Sequence, residues 1–175
     1  MNAQGIMMDS RVARVRELKA EIARLREENS KLARERDELL AHFDLALLAA
    51  ADLAAIPPGG KFVIYDGWNL VLGAGRTART REKLEDSVRR ELEANPLDRA
   101  WIIYDGPVEN VKTENRLRIG YTGGTGSQRA DRLICDFIRM ARFSSSAAKI
   151  EVRTNDKKLA REAERLLAEP RNALA

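Results

Sequence analysis

The stretch FVIYDGWNL, residues 62–70, is the clearest indication of the fold, and WIIYDGPVE, residues 101–109, nearly repeats its first six residues. Each begins with a continuous run of β-branched and aromatic residues, which is typical of a strand buried on both faces of a sheet. Each run ends in Tyr-Asp-Gly, so an acid follows two separate buried strands. Such runs alternate with helical patterns along the chain, which predicts an α/β fold with a mainly parallel sheet.

The remaining elements follow from hydrophobic spacing. Strand patterns cover residues 61–65, 99–104, 117–121 and 148–153, and helical patterns cover residues 80–94, 130–142 and 156–169. We interpret residues 108–116 as a short polar segment between two strands. The pattern predicts a central sheet of four to five strands with helices on its faces.

Leucine recurs every seven residues in the N-terminal region, which indicates a coiled coil over residues 15–43. The d positions are Leu18, Leu25, Leu32 and Leu39, the a positions are Val15, Ile22, Asn29, Arg36 and Phe43, and glutamates occupy g. β-branched residues at a with leucine at d favour a parallel dimer, and one buried asparagine sets the register. We therefore expect a parallel homodimer. A lone amphipathic helix folded onto the domain is the alternative.

The pattern also predicts the domain boundaries. The N-terminal helix is expected to span residues 1–56, because Pro57-Pro58-Gly59-Gly60 stops a helix. Residues 57–60 then act as a linker, and residues 61–175 form the globular domain.

Composition excludes several kinds of site. The chain has 175 residues with a single cysteine, Cys135, and a single histidine, His42, so no disulfide framework or cysteine-based zinc site is expected. Because His42 precedes the linker, we expect no Ser-His-Asp or Cys-His catalysis in the globular domain. The N-terminus lacks the pattern of a signal peptide, and the most apolar run, residues 45–56, is too short to span a bilayer. These features predict a cytoplasmic protein with no membrane segment.

Four aspartates stand beside the carboxyl ends of the predicted strands: Asp66, Asp105, Asp131 and Asp156. Strands of a parallel sheet share one carboxyl edge, so we expect these acids to converge there. Carboxylates without histidine or cysteine favour hard cations, which predicts a site for Mg²⁺ or Mn²⁺. Taken singly, each acid also fits an ordinary turn or helix N-terminus.

Charge is uneven along the chain: residues 1–60 carry a net charge of −1 and residues 61–175 carry +5. A basic body around an acidic pocket suits a polyanion, although a solvated charged surface is also consistent with it. The candidate phosphate contacts are Arg76, Lys112, Arg129 and Arg132. Tyr121 and Trp68 are candidate base-stacking residues, and Trp68 is equally suited to the core.

Four segments resemble the NYN domains, a branch of the PIN-like nuclease superfamily, and the likeness extends over residues 61–169. DGWNL is similar to the "DGxN" opening of NYN domains, with Trp68 where tyrosine is more usual, and IIYDG resembles the "VFDG" of the YacP-like branch. RADRLICDFI and VRTNDKKLARE resemble the later "AD…I" and "V.TSD..L" segments. The N-terminal coiled coil is not part of the family core.

The resemblance implies a PIN-like three-layer sandwich and a metal-dependent endoribonuclease, with RNA as substrate. Asp66, Asp105, Asp131 and Asp156 match the family's acidic set that holds Mg²⁺ or Mn²⁺. Asn69 matches the asparagine of the opening motif and is expected to support the first aspartate or the phosphate. Asp136 is a second-rank candidate. The alternative function is a non-catalytic RNA- or ribosome-binding module that its coiled coil recruits.

Overall fold

The computed structural model of the chain describes residues 3–73, 80–123, 128–141 and 148–169. Within these ranges the elements are α1 (Ala3–Ala54), β1 (Lys61–Asp66), α2 (Gly67–Leu72), α3 (Arg81–Ala94), β2 (Arg99–Tyr104), β3 (Glu109–Glu114), β4 (Leu117–Thr122), α4 (Arg129–Ala141), β5 (Lys149–Arg153) and α5 (Lys157–Ala168). This order confirms an α/β fold preceded by a long helix.

The strands form one sheet in the order β3-β4-β2-β1-β5. β1 pairs in parallel with β2 on one side and with β5 on the other, and β2 pairs in parallel with β4. Among the described strands only β3 is antiparallel, and it forms an edge of the sheet beside β4. The mainly parallel sheet is therefore confirmed, and the carboxyl ends of β1, β2, β4 and β5 share one edge.

β3 corrects the interpretation of residues 108–116 as a polar connection. Its sequence ENVKTE has no fully buried residue, because the strand lies at the edge of the sheet. A two-residue turn, Asn115 and Arg116, joins it to β4, and Asn115 has a φ of 42°. Asparagine adopts this left-handed conformation more readily than most residues. An edge strand therefore formed without the apolar run that marks the buried ones.

Helices cover both faces of the sheet, because successive residues of a strand point to opposite faces. On one face, Phe62, Ile64 and Trp101 belong to a cluster with buried residues of α4 and α5. On the other, Val63 and Tyr65 belong to a cluster with α2 and α3. Burial on both faces explains why β1 and β2 are continuously apolar instead of alternating.

The chain divides into two compact units, Met1–Leu40 and Ala41–Ala175. In the first unit, the described side chains from Val12 onward are exposed, including those of Leu18 and Leu25. In the described part of the chain, no helix is both long and apolar enough to cross a membrane.

The end of α1 belongs to the second unit. Leu45, Ala49 and Leu53 are buried in the core beside α4 and α5, and their spacing of four residues places them on one side of the helix. This packing corrects the predicted boundary, which gives residues 41–56 to the N-terminal helix alone. Their apolar side is instead one wall of the globular core, and the compact unit begins before the Pro-Gly linker.

Candidate functional site

The four predicted acids lie at the carboxyl edge of the sheet. Asp66 ends β1, Asp105 directly follows β2, Asp131 lies in the first turn of α4, and Asp156 caps the N-terminus of α5. All four line a single pocket of about 280 Å³, together with Trp68, Asn69, Leu72 and Gln128. We call this the acid pocket.

Asp66 is the most enclosed of the four acids, with 4% of its surface exposed. Thr154 donates its hydroxyl to Oδ2 of Asp66 at 2.7 Å, and the backbone N–H of Asn69 donates to Oδ1 at 3.4 Å. The second bond caps α2, so the carboxylate that ends β1 also begins the following helix. The bonds fix the Asp66 side chain from two separate elements.

Asp105 is held by the start of α4. Its Oδ1 accepts the backbone N–H of Ala130 at 2.8 Å and the hydroxyl of Thr122 at 3.2 Å. Its backbone carbonyl accepts the indole N–H of Trp68 at 2.7 Å. Asp105 therefore ties together the ends of β2 and β4, α2 and the first turn of α4.

Asp156 and Asp131 differ in their bonding. Oδ1 of Asp156 accepts the backbone N–H groups of Lys158 at 2.6 Å and Leu159 at 3.3 Å, so its alternative role as a helix cap is fulfilled. Asp131 accepts no hydrogen bond from any described residue. Asp131 is therefore the acid that local structure explains least.

Asn69 lies on α2 and lines the acid pocket through the same helix that Asp66 caps. Its backbone carbonyl accepts the N–H of Gly73 at 2.8 Å and the side-chain amide of Asn155 at 3.3 Å. Its side chain makes no hydrogen bond with a described residue. The amide is thus available to a ligand in the pocket.

Burial and mutual repulsion raise the pKa values of two of the acids, Asp131 and Asp66. Burial raises the pKa of the Asp131 carboxyl above its ordinary value, and the negative charges of Asp66, Asp156 and Asp105 raise it further. The four carboxylates therefore act on one another electrostatically across the pocket.

The pKa of Asp66 is also raised, chiefly by burial. The hydrogen bonds from Thr154 and Asn69 oppose the shift, and the charges of Asp105 and Asp156 add to it. A proton or a cation relieves this repulsion, and neither acid has a described basic side chain among its main electrostatic partners.

The donor set fits a hard divalent cation, because the acid pocket offers carboxylate oxygens and the amide of Asn69 without sulfur or imidazole. As placed, however, no three acid, histidine or cysteine side chains of the described residues are grouped closely enough to hold a metal ion. The acids thus share a pocket without forming a closed coordination sphere. Closer approach of bare carboxylates is opposed by their mutual repulsion, which adds to the effect of burial on the pKa values of Asp66 and Asp131.

The second-rank candidate, Asp136, does not line the acid pocket. Its Oδ2 lies 2.7 Å from Nε2 of His42, and its Oδ1 accepts a hydrogen bond from Arg139 at 2.6 Å. The predicted domain boundary puts His42 outside the globular domain. The structure places it in the globular unit, where it binds α4 rather than the candidate site.

The predicted RNA contacts are scattered. Tyr121 stacks on Tyr104 with ring centroids 5.5 Å apart and accepts a hydrogen bond from Arg81, so its ring is used in packing. Lys112 pairs with Glu114 on the edge strand. Neither residue lines the acid pocket.

The three arginines predicted to contact phosphates, Arg129, Arg132 and Arg76, differ in their surroundings. Arg129 is half-buried at the start of α4 and interacts with other residues. Arg132 is exposed one helical position beyond Asp131. Arg76 lies outside the described residues.

A second cavity of about 340 Å³ adjoins the acid pocket between α4 and α5 and shares Gln128, Asp131 and Asp156 with it. Its lining includes the bases Arg132, Arg139 and Lys158 and, besides the two shared acids, Glu162, which lies 3.9 Å from Arg139. Arg139 pairs with Asp136, whereas the side chains of Arg132 and Lys158 pair with no described residue. We call this the cationic groove. Among the described residues, it thus offers the positive charges of Arg132 and Lys158 without an ion-pair partner, next to the acids.

Sequence reasoning missed several residues of the site. Thr154 stands two positions before Asp156, within a segment that was already singled out, but its bond to Asp66 crosses 88 positions of chain. Nothing in the sequence distinguishes Lys158 from the other basic residues of the predicted helix 156–169. Gln128 lies just after the glycine-rich residues 122–127, and its φ of 61° marks an unusual turn there.

Comparison of the chain with protein-family models, with curated proteins and with solved structures found no match.

Proposed function

We propose that this chain is a metal-dependent endoribonuclease of the NYN type with a PIN-like fold. The observation that carries the proposal is that Asp66, Asp105, Asp131 and Asp156, spread over ninety residues, line one pocket together with Asn69. Two further features support it: the raised pKa values of Asp66 and Asp131, and the cationic groove beside them. Perturbed acids in a cleft are a common feature of catalytic sites.

Mg²⁺ or Mn²⁺ is the cofactor that these residues would hold, with Asp66, Asp105, Asp131 and Asp156 as the carboxylate ligands. A bound ion of this kind supplies a more acidic water and neutralises charge that develops on a phosphoryl group. The chain's own part is positional. Thr154 orients Asp66, and the N–H of Ala130 orients Asp105.

The cationic groove supports a polyanionic substrate. The side chains of Arg132 and Lys158 have no partner among the described residues, and they border a cavity that shares Asp131 and Asp156 with the acid pocket. Backbone phosphates on either side of the reacting bond need such counter-charges, because the acids themselves repel a polyanion. The groove therefore suits the continuation of an RNA strand away from the acids.

The first unit supports self-association. The a and d residues Val15, Ile22 and Leu25 are exposed along α1, although apolar side chains in this heptad pattern normally pack against a second helix. Asn29 stands at an a position, where a matching asparagine of a second parallel chain would set the register. A second copy of this chain is thus the occupant that the pattern favours.

The test is cleavage of labelled RNA with Mg²⁺ or Mn²⁺, comparing wild type with Asp66→Asn, Asp131→Asn and the control Asp44→Asn, an exposed site on α1. We expect both pocket variants to lose at least about 100-fold in rate, which corresponds to roughly 2.7 kcal/mol. The control should cut like wild type. Equal traces for all four proteins would contradict the proposal.

The alternative is an RNA- or ribosome-binding module without catalysis. The observation that favours it is that no three metal-ligating side chains of the described residues are grouped tightly enough to hold an ion. In the same assay, this alternative predicts RNA binding without metal-dependent cleavage.

A further inference from the structure

The acid pocket has an apolar wall as well as an acidic one. α2 contributes Trp68 and Leu72, which are four residues apart and therefore on the same side of the helix. Their exposed fractions are 37% and 78%. Leu72 is thus mostly exposed, and Trp68 keeps part of its surface uncovered although its ring also contacts Tyr104. The tryptophan side chain has no oxygen ligand to offer a hard cation, so metal binding does not explain its place beside four carboxylates.

Trp68 is held in place despite this exposure. Its indole N–H donates to the backbone carbonyl of Asp105 at 2.7 Å, and its ring makes an edge contact with Tyr104 at a centroid distance of 5.1 Å and an angle of 62°. Gly67 permits the arrangement, since a Cβ at that position would lie 2.2 Å from the Tyr104 ring. The ring is therefore preorganised, which lowers the entropy that a stacking partner must overcome.

We propose that Trp68 is the stacking platform for a nucleobase of single-stranded RNA, next to the phosphodiester that the four acids receive. This inference rests on the proposed nuclease function and specifies its substrate class. Aromatic side chains bind bases of single strands by stacking, whereas in a duplex the base faces are already covered. Leu72 extends the apolar surface beside the base.

The division of the site supports this assignment. The cationic groove, on the α4–α5 side, offers Arg132 and Lys158 to phosphates. The α2 wall offers apolar surface with no basic side chain among its pocket-lining residues. A strand that crosses the acids thus meets charge on one side and a flat ring on the other.

The first measurement is tryptophan fluorescence during titration with a short single-stranded RNA, with Ca²⁺ in place of Mg²⁺ to neutralise the carboxylates while the RNA is checked for integrity. The chain has two tryptophans, and Trp101 is fully buried. Quenching by a stacked base therefore reports on Trp68. We expect quenching with the single strand, none with the same sequence as a duplex, and none in Trp68→Phe.

The decisive variants are Trp68→Phe and Trp68→Leu. Phenylalanine keeps an aromatic face but loses the N–H bond to Asp105, whereas leucine loses both. Stacking predicts that Trp68→Leu weakens binding of the single strand by about 5- to 100-fold, while Trp68→Phe stays within about 3-fold of wild type. A purely structural tether to Asp105 predicts equal losses in both, and that result would overturn the inference.

A scan of abasic sites through the RNA provides a second readout. One abasic position should weaken binding to wild type and have no further effect on Trp68→Leu, because both changes remove the same contact. Independent, additive losses would contradict stacking on Trp68.

The outcomes separate this inference from the nuclease proposal. Quenching and a Trp68→Leu defect without any cleavage would retain the platform and reject the nuclease. Cleavage with an unchanged KM in Trp68→Leu would retain the nuclease and reject the platform. A wild-type protein that binds no RNA would reject both.

Discussion

Nε2 of His42 lies 2.7 Å from Oδ2 of Asp136, across 94 positions of the chain. An ionised carboxylate only accepts hydrogen bonds, so Nε2 of His42 carries the proton in this pair. Arg139 donates to the other oxygen of Asp136 at 2.6 Å. The contact fastens the end of α1 to α4 and occupies an acid that the NYN resemblance had offered as a second-rank site residue.

Asp136→Asn is therefore expected to keep metal-dependent cleavage, in contrast to Asp131→Asn. The two acids lie five positions apart on α4, but only Asp131 lines the acid pocket. RNA cleavage rates of Asp136→Asn and Asp131→Asn, measured side by side, test this prediction. A loss in Asp136→Asn as large as in Asp131→Asn would contradict the assignment of Asp136 to the fold.

The same variant has a defined effect on stability. The hydrogen bond with His42 lowers the pKa of Asp136 below its ordinary value of 3.8; burial opposes this, and Arg139 adds to it. The ionised group thus stabilises the fold above that value, and the contribution is lost as pH falls through the lowered pKa. We expect Asp136→Asn to lose about 1 kcal/mol at neutral pH, because the pair is partly solvated. Urea unfolding at several pH values should show the difference shrinking below pH 3.8.

Asp131→Asn is expected to stabilise the fold at neutral pH, whereas Asp136→Asn destabilises it. The pKa of Asp131 is raised in the folded protein, so its ionisation destabilises the fold at neutral pH. That destabilisation is full above the raised pKa and disappears as pH falls toward the ordinary value of 3.8. With EDTA present, Asp131→Asn should therefore melt at a higher temperature than wild type at neutral pH, and the gap should close in acid.

Added Mg²⁺ or Mn²⁺ provides the matched arm of that experiment. A cation that binds the folded state raises its melting temperature, so wild type should gain more than Asp131→Asn. If Asp131→Asn is no more stable than wild type in EDTA at neutral pH, the raised pKa of Asp131, from burial and from the neighbouring acids, is contradicted.

Asp52 is expected to be essential for attaching α1 to the sheet. It is buried and accepts hydrogen bonds from the indole N–H of Trp101 at 2.9 Å and from Arg118 and Arg99. Removing one partner of a buried ion pair leaves the other uncompensated, which costs about 3–5 kcal/mol. Asp52→Ala should lower the free energy of unfolding in urea by this amount. The control Asp44→Ala, exposed on the same helix, should stay within about 0.5 kcal/mol of wild type, and similar losses in both would contradict the prediction.

The coiled coil makes a separate prediction about assembly. Leu25→Asp introduces a charge at a d position, so the protein should become monomeric in light scattering after size exclusion. Glu27 lies at an outward f position, so Glu27→Ala should leave the mass of the assembly in light scattering unchanged. If wild type is itself a monomer at micromolar concentration, the homodimer is rejected, while the site and its chemistry are unaffected.

Some features followed from local sequence alone. The apolar runs of β1 and β2 predicted buried strands, because burial on both faces removes any alternation. Asp66 and Asp105 then marked the ends of those strands. β3 escaped notice because an edge strand needs no continuous apolar run, and its hairpin depends on the conformation of Asn115.

Other features needed the tertiary structure. Residues 45–56 stand out in the sequence only as the most apolar run, and only the packed core shows that Leu45 and Leu53 cover the sheet. The bonds of Thr154 to Asp66 and of Trp68 to Asp105 join residues whose separation in the chain says nothing about their distance.

Periodicity and neighbours in the chain were enough to predict the four parallel strands, helices α3, α4 and α5 and the acids at the strand ends, whereas α2 and β3 were not predicted. Only the tertiary structure decided that those acids share a pocket with Trp68, and that Asp136 binds His42 instead. Which side chains meet depends on how the crossover helices pack against the sheet. That packing is set by the whole core and by no single segment.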